Sequence, residues 1–310
     1  MSYWKPALFL FFASPLLVEL LSASSPASTF FQPLYFLLQV ISYGLPVLII
    51  REFAVRWKLG LRGIFIMGLG YGIFNEGLLA HTFLSPATLT SVPGYAFYSG
   101  LALAWIPLVS ILHSLLGVLY PILLTHFIYP WSADRSWLGK KRFILFIIIS
   151  SLESALLYFG SRQFAGGYFV LFWLAILFLF VIAKRRPGVI EIKSVVSHYA
   201  IVATGLLVIL ADVVMITVAN ANAPLPVFWI ILFLLVYAII HLLHRKGWLS
   251  MPAMVLFASG SYIGLAVFSM AMRPWPEVIL TNTLFILAFL IFTGGRRRFA
   301  DYTAKAVSNL

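Results

Sequence analysis

Leu69-Gly-Tyr-Gly-Ile-Phe-Asn-Glu-Gly-Leu-Leu-Ala-His81 sets a carboxylate, Glu76, inside an otherwise apolar run. A charged side chain at the bilayer centre costs about 3 kcal/mol on insertion scales, so it faces protein or water rather than lipid. Gly68, Gly72, Glu76 and Ala80 recur at every fourth residue and share one helical face. Such a stripe of small residues lets a second backbone approach closely. The stretch predicts a membrane helix packed on a partner helix, with Glu76 aimed at the partner. Set against a functional role is plain polar glue, a hydrogen bond between helices contributing about 1 kcal/mol.

The rest of the chain agrees with a membrane setting. Of 310 residues, 62% are hydrophobic and 10% charged, far from a soluble domain. Apolar runs near the ~20 residues that cross a hydrocarbon core repeat throughout. Spans are expected near 6–23, 34–54, 62–83, 102–128, 143–160, 168–183, 198–219, 226–243, 251–271 and 276–293. The expected fold is an all-α polytopic transmembrane helix bundle of about ten spans, one integral membrane domain over 1–310. Its polar features gather in helices 1–4 (1–130), and helices 5–10 (131–310) are more apolar.

Charge sets the expected orientation. Arg56, Lys58 and Arg62, then Arg135, Lys140, Lys141 and Arg142, then Lys184, Arg185, Arg186 and Lys193, then Arg245 and Lys246, fall in alternate connections. The other connections hold only Arg162 and Arg273. By the positive-inside rule the basic set is cytoplasmic, and Lys5, Arg296, Arg297, Arg298 and Lys305 put both termini on that side of a cytoplasmic (inner or plasma) membrane. The net charge of +12 is then spread over membrane-proximal loops, where anionic lipid headgroups are sufficient partners. No nucleic-acid module is present, so no nucleic-acid partner is expected. The first span could pass for a signal peptide, but Pro15 and Glu19 interrupt its apolar run.

The absence of cysteine excludes disulfides and thiolate chemistry. The histidines His81, His113, His126, His198, His241 and His244 make no metal motif, and no cofactor is indicated. Depth is more informative. On a helical rise of 1.5 Å per residue, Glu19, Glu76, His113 and Asp212 all lie about 20–22 Å from the cytoplasmic face. Short connections make sequential helices neighbours, so Glu76 with His113 is the expected pair. Ser110 and Gly117 share the face of His113, while His81 lies round the helix from Glu76. Glu19, Asn75, Ser110 and Asp212 are the candidates for binding a solute or ion, and Glu76 and His113 for catalysis.

Other polar groups carry plainer expectations. Arg51-Glu52 reads as a boundary ion pair or a snorkelling arginine. Glu153, among Ser150, Ser151 and Ser154, is a weaker mid-span candidate, and Glu277 reads as interfacial. The uncharged stretches 24–33 and 84–100 could dip into the membrane edge, the second as a lid over an outward pocket.

Several segments, all within roughly the first 130 residues, also resemble a family of uncharacterised prokaryotic multi-pass membrane proteins. These are Glu19-Leu-Leu-Ser-Ala-Ser-Ser-Pro26, Tyr43-Gly44 followed by Ile50-Arg-Glu52, Tyr71-Gly-Ile-Phe-Asn-Glu-Gly77 and Leu112-His-Ser114. The resemblance implies no activity. A glutamate followed by a histidine on a later helix is more loosely similar to the CPBP intramembrane proteases. Their paired-glutamate signature is replaced here by Asn75, Glu76 and Ala80, and Gly117 stands where their asparagine follows the histidine. Only Glu76 and His113 carry over.

Three functions fit. Ten spans with internal termini suit a small-solute or ion-coupled transporter, with Glu76, Glu19 or Asp212 loading a proton or cation and His113 relaying it. A CPBP-like hydrolase acting on lipid or peptide would use Glu76 to activate water and His113 to polarise a carbonyl. A non-catalytic lipid-binding or assembly scaffold would keep the acids as buried glue.

Overall fold

The computed structural model describes residues 3–84, 97–98, 100–161, 166–188, 198–220, 223–245 and 250–294. Outside them lie most of the expected lid at 84–100 and, from the charge pattern, Arg162, Lys193, Lys246, Arg296, Arg297, Arg298 and Lys305. The described chain is helical apart from a two-residue antiparallel pairing of Phe97–Tyr98 with Leu101–Ala102 and the turns between helices.

Among the described residues ten rods follow one another near the expected apolar runs, besides the short helices Ala27–Phe30 and Pro130–Ser132. α1 is Trp4–Pro15 continued by Leu16–Leu20, α2 is Pro33–Arg56, α3 is Leu61–Ile73 continued by Phe74–Leu79, and α4 is Trp105–Ile128. α5 is Lys140–Gly160, α6 Gly166–Lys184, α7 His198–Asn220, α8 Leu225–Arg245, α9 Met251–Met272 and α10 Pro276–Gly294. Seven of them, α2 and α4 to α9, are long and apolar enough to cross a membrane, and α10 is a shorter apolar helix.

Contacts between connections define the two ends of the bundle. At one end Arg56 donates to the carbonyl of Leu138, the Gly188 amide donates to the Lys58 carbonyl, and Arg135 reaches Tyr3. Three basic connections and the N-terminal turn therefore share this end. At the other, Ser28 binds Glu277 and Arg273 donates to the carbonyl of Ala23. Glu277 is accordingly a tie between the α1–α2 and α9–α10 connections.

Small residues set the closest crossings. A Cβ added at Gly68 would stand 2.5 Å from Ser114 Oγ, and one at Gly72 would stand 2.5 Å from the Cα of Ser110. The stripe on α3 thus packs backbone to backbone on α4, as its spacing predicts. Gly70 and Gly77 admit Phe180 and Phe172 of α6. α7 crosses α9 where Gly205 and Gly260 let each backbone touch the other.

The first four helices are not continuous α-helices. Each contains a wider π-turn: Leu16–Leu20 in α1, Val40–Gly44 in α2, Phe74–Leu79 in α3 and His113–Leu119 in α4. Prolines explain much of this. A proline cannot donate to the carbonyl four residues back, which must then find another partner inside the membrane. Pro46 frees the carbonyl of Ser42, and the Tyr71 hydroxyl donates to it at 3.2 Å. Pro121 frees that of Gly117, and Ser14 donates to it at 2.8 Å. Pro15 frees that of Phe11, which lies so close to Gly44 that a Cβ there would stand 2.5 Å from the oxygen.

Candidate functional site: a buried carboxylate and imidazole

The π-turns of α3 and α4 face each other, and across them Glu76 Oε1 lies 2.7 Å from His113 Nε2. Both side chains are buried. The Thr82 hydroxyl donates to the other Glu76 oxygen and accepts from the Trp105 indole at 3.0 Å. Both carboxylate oxygens are therefore held. His113 Nδ1 is buried without a hydrogen-bond partner, on the side where Gly117 has no side chain.

A second carboxylate approaches through the π-turns of α1 and α2. Glu19 accepts from the Tyr43 hydroxyl at 2.5 Å and from Ser25 at 2.6 Å, with Ser25 in turn 2.7 Å from the Tyr35 hydroxyl. The Tyr43 ring lies 6.0 Å from the His113 ring and 5.8 Å from that of Tyr71, which meets His113 edge-on at 5.7 Å. Asn75 donates to the Tyr71 hydroxyl at 3.2 Å. On the far side, Ser42 donates to Glu153 of α5 at 2.6 Å. Five helices thus contribute to one polar cluster, and each of the four π-turns supplies a member. π-turns inside helices recur at functional sites because they redirect side chains and release backbone groups.

Of the residues expected from sequence, Glu76, His113, Glu19 and Asn75 are brought into this cluster. Ser110 packs against Gly72 with its hydroxyl unpartnered. Asp212 stands apart on α7: it has no hydrogen bond to the cluster, and its Oδ1 is buried without a partner. Tyr43, Tyr71, Ser42, Ser25 and Thr82 belong to the cluster but are given no role by the sequence. Tyr43, Tyr71 and Ser25 stand in the segments that carry the family resemblance, and the proline four residues after Ser42 hints only at a donor for that residue's carbonyl. His81 packs against Tyr158, away from the pair.

Arg51 and Glu52 form the expected ion pair, and the snorkelling alternative is the one corrected. A snorkelling arginine keeps its head in water, yet Arg51 is 0% exposed. It pairs with Glu52 at 2.9 Å, donates to His126 and to the carbonyls of Ser132 and Ala133, and stacks on Trp137. Glu52 also accepts from Arg56, Ser136 and the Trp137 amide. This network pins the α4–α5 connection to the end of α2.

Among the described residues no three of His, Asp and Glu are placed to hold a metal ion. The chemistry the site can offer is proton transfer. A carboxylate that fixes one imidazole nitrogen sets the ring's orientation and leaves the other free to take or give a proton.

Fold and site define a polytopic α-helical membrane protein with a buried acid–histidine pair. The chain belongs to an uncharacterized membrane protein family, whose family model matches residues 8–304. No curated protein and no solved structure matches it.

Proposed function

We propose that this protein is an ion-coupled transporter for a small solute, in which the Glu76–His113 pair, with Glu19 beside it, loads the coupling proton. The supporting observation is that four interrupted helices meet at the pair. Interrupted helices meeting deep in the membrane are how secondary carriers expose backbone and polar groups to substrate and ion. In this reading the ten rods are ten spans, the end bearing the basic connections is cytoplasmic, and the pair lies in the outer half of a cytoplasmic membrane.

The test is reconstitution in liposomes that enclose a pH-sensitive dye, challenged with a panel of amino acids, sugars, nucleosides and inorganic ions. At least one solute should carry protons with it in the wild type and fail to do so in Glu76→Gln. A hydrolase is the second reading, favoured by the unpartnered Nδ1 of an imidazole already oriented by a carboxylate. Cleavage of a fluorogenic peptide or lipid ester that needs both Glu76 and His113, with no solute moved, would replace the transporter by the hydrolase.

A further inference from the structure

A groove of about 690 Å³ runs down the side of the bundle between α1, the end of α4 and α10. Its walls are apolar: Leu8, Phe12 and Leu16 of α1, Ile128 of α4, and Phe285 and Phe289 of α10. Lys5 is the one charged residue in its lining, and it sits at the mouth with Trp4 and Tyr129. The exposed Arg135 guanidinium reaches Tyr3 nearby but has the Asp134 carboxylate 3.9 Å from it, so Lys5 carries the charge of the mouth. Aromatic and cationic side chains at one end of an apolar trough mark the level of lipid headgroups. From Trp4 to Leu17 the groove follows α1 for about 20 Å, which covers the ~15 Å that one leaflet's acyl chain fills.

We infer that this groove binds one anionic phospholipid, its acyl chain along α1 and its phosphate at Lys5. The occupant is a lipid because the trough opens sideways and is apolar throughout its depth. It is anionic because Lys5 is the single charged residue in the groove's lining. The deep end touches Leu16 and Leu17, the first two residues of the π-turn that carries Glu19. The opposite wall includes Phe289, stacked 5.4 Å from Tyr262, whose hydroxyl holds the π-turn of α4. A bound chain therefore braces two of the turns that build the polar cluster. The inference does not depend on whether that cluster transports or hydrolyses.

Native mass spectrometry of the full chain, delipidated in detergent and titrated with dioleoyl phosphatidylglycerol or dioleoyl phosphatidylcholine, tests it. One phosphatidylglycerol should bind more tightly than phosphatidylcholine. Lys5→Gln should weaken phosphatidylglycerol about fivefold, the effect of one cation near a membrane surface, and leave phosphatidylcholine unchanged. Ala288→Trp, placed on the groove wall, should exclude both lipids. Equal retention of the two lipids, or binding unaltered by Ala288→Trp, would overturn the assignment. A melting midpoint for Ala288→Trp close to that of the wild type shows that the loss is of lipid and not of fold.

Discussion

The hydroxyl of Tyr262 on α9 donates a 2.6 Å hydrogen bond to the carbonyl of Leu116, inside the π-turn that begins at His113. Ser14 of α1 does the same for the neighbouring carbonyl of Gly117, which Pro121 leaves without an amide. Side chains from two other helices thus satisfy the turn on which the imidazole sits.

Tyr262→Phe and Ser14→Ala each remove a donor and leave a buried carbonyl unpaired. Each should cost about 1–3 kcal/mol of stability. Melting midpoints in detergent measure this. Because both bonds serve one turn, the double variant should depart from additivity, by about 0.5 kcal/mol or more. Two unshifted midpoints would mean that the turn holds without them.

The crossing of α3 on α4 should be equally sensitive at Gly72. An added Cβ would meet the backbone of Ser110 at 2.5 Å, so the helices must separate. Gly72→Ala should destabilise by about 1–3 kcal/mol, the usual range for overpacking. Gly160→Ala, at the last helical position of α5 with nothing within 4 Å of the added carbon, is the control and should not destabilise. A neutral Gly72→Ala would remove close packing as the reason for the stripe.

Depth and small-residue spacing made the Glu76–His113 pair legible in the sequence, since a carboxylate inside a membrane needs a partner at its own level. The same argument placed Asp212 at that level, but depth says nothing of position around the bundle, and α7 packs on α8 and α9 instead. Tyr43 and Tyr71 stand in segments that carry the family resemblance, but their place in the cluster was not legible because tyrosines are ordinary in membrane helices. Their hydroxyls matter only through the three-dimensional position of Glu19 and of the Ser42 carbonyl. The Arg51–Glu52 pair was legible from adjacency, but its burial was not, because the residues that cover it, 132–137, lie some eighty positions away.

Arg51→Ala should be among the most damaging single changes. It leaves Glu52 buried with only the partly exposed Arg56 as counter-ion, strips the Ala133 carbonyl of the Arg51 donor and leaves the Ser132 carbonyl to the Trp137 indole and the Arg135 amide. Removing one member of a buried ion pair costs about 3–5 kcal/mol. Arg51→Lys should recover only part of this, because a lysine cannot present the planar fork that stacks on Trp137 and reaches both carbonyls. Thermal unfolding and proteolysis within the α4–α5 connection are the readouts. Equal stability of the two variants and the wild type would show the network to be incidental.

The last prediction separates polar glue from a working pair. In Glu76→Gln the amide oxygen can still accept from His113 Nε2. The amide nitrogen can donate to Thr82, whose hydroxyl then reverses its role. Hydrogen bonding is therefore conserved while the proton-loading group is lost. If Glu76 serves only to join α3 and α4, the variant should keep both fold and function. If it loads the proton, the melting midpoint should stay within a few degrees of the wild type while proton-linked solute movement falls at least a hundredfold. His113→Gln should lose the same activity, and the double variant should be no worse than either single one, because residues that act as a unit are not additive. Full activity in Glu76→Gln would return the pair to a structural role and leave the cluster without its proton site.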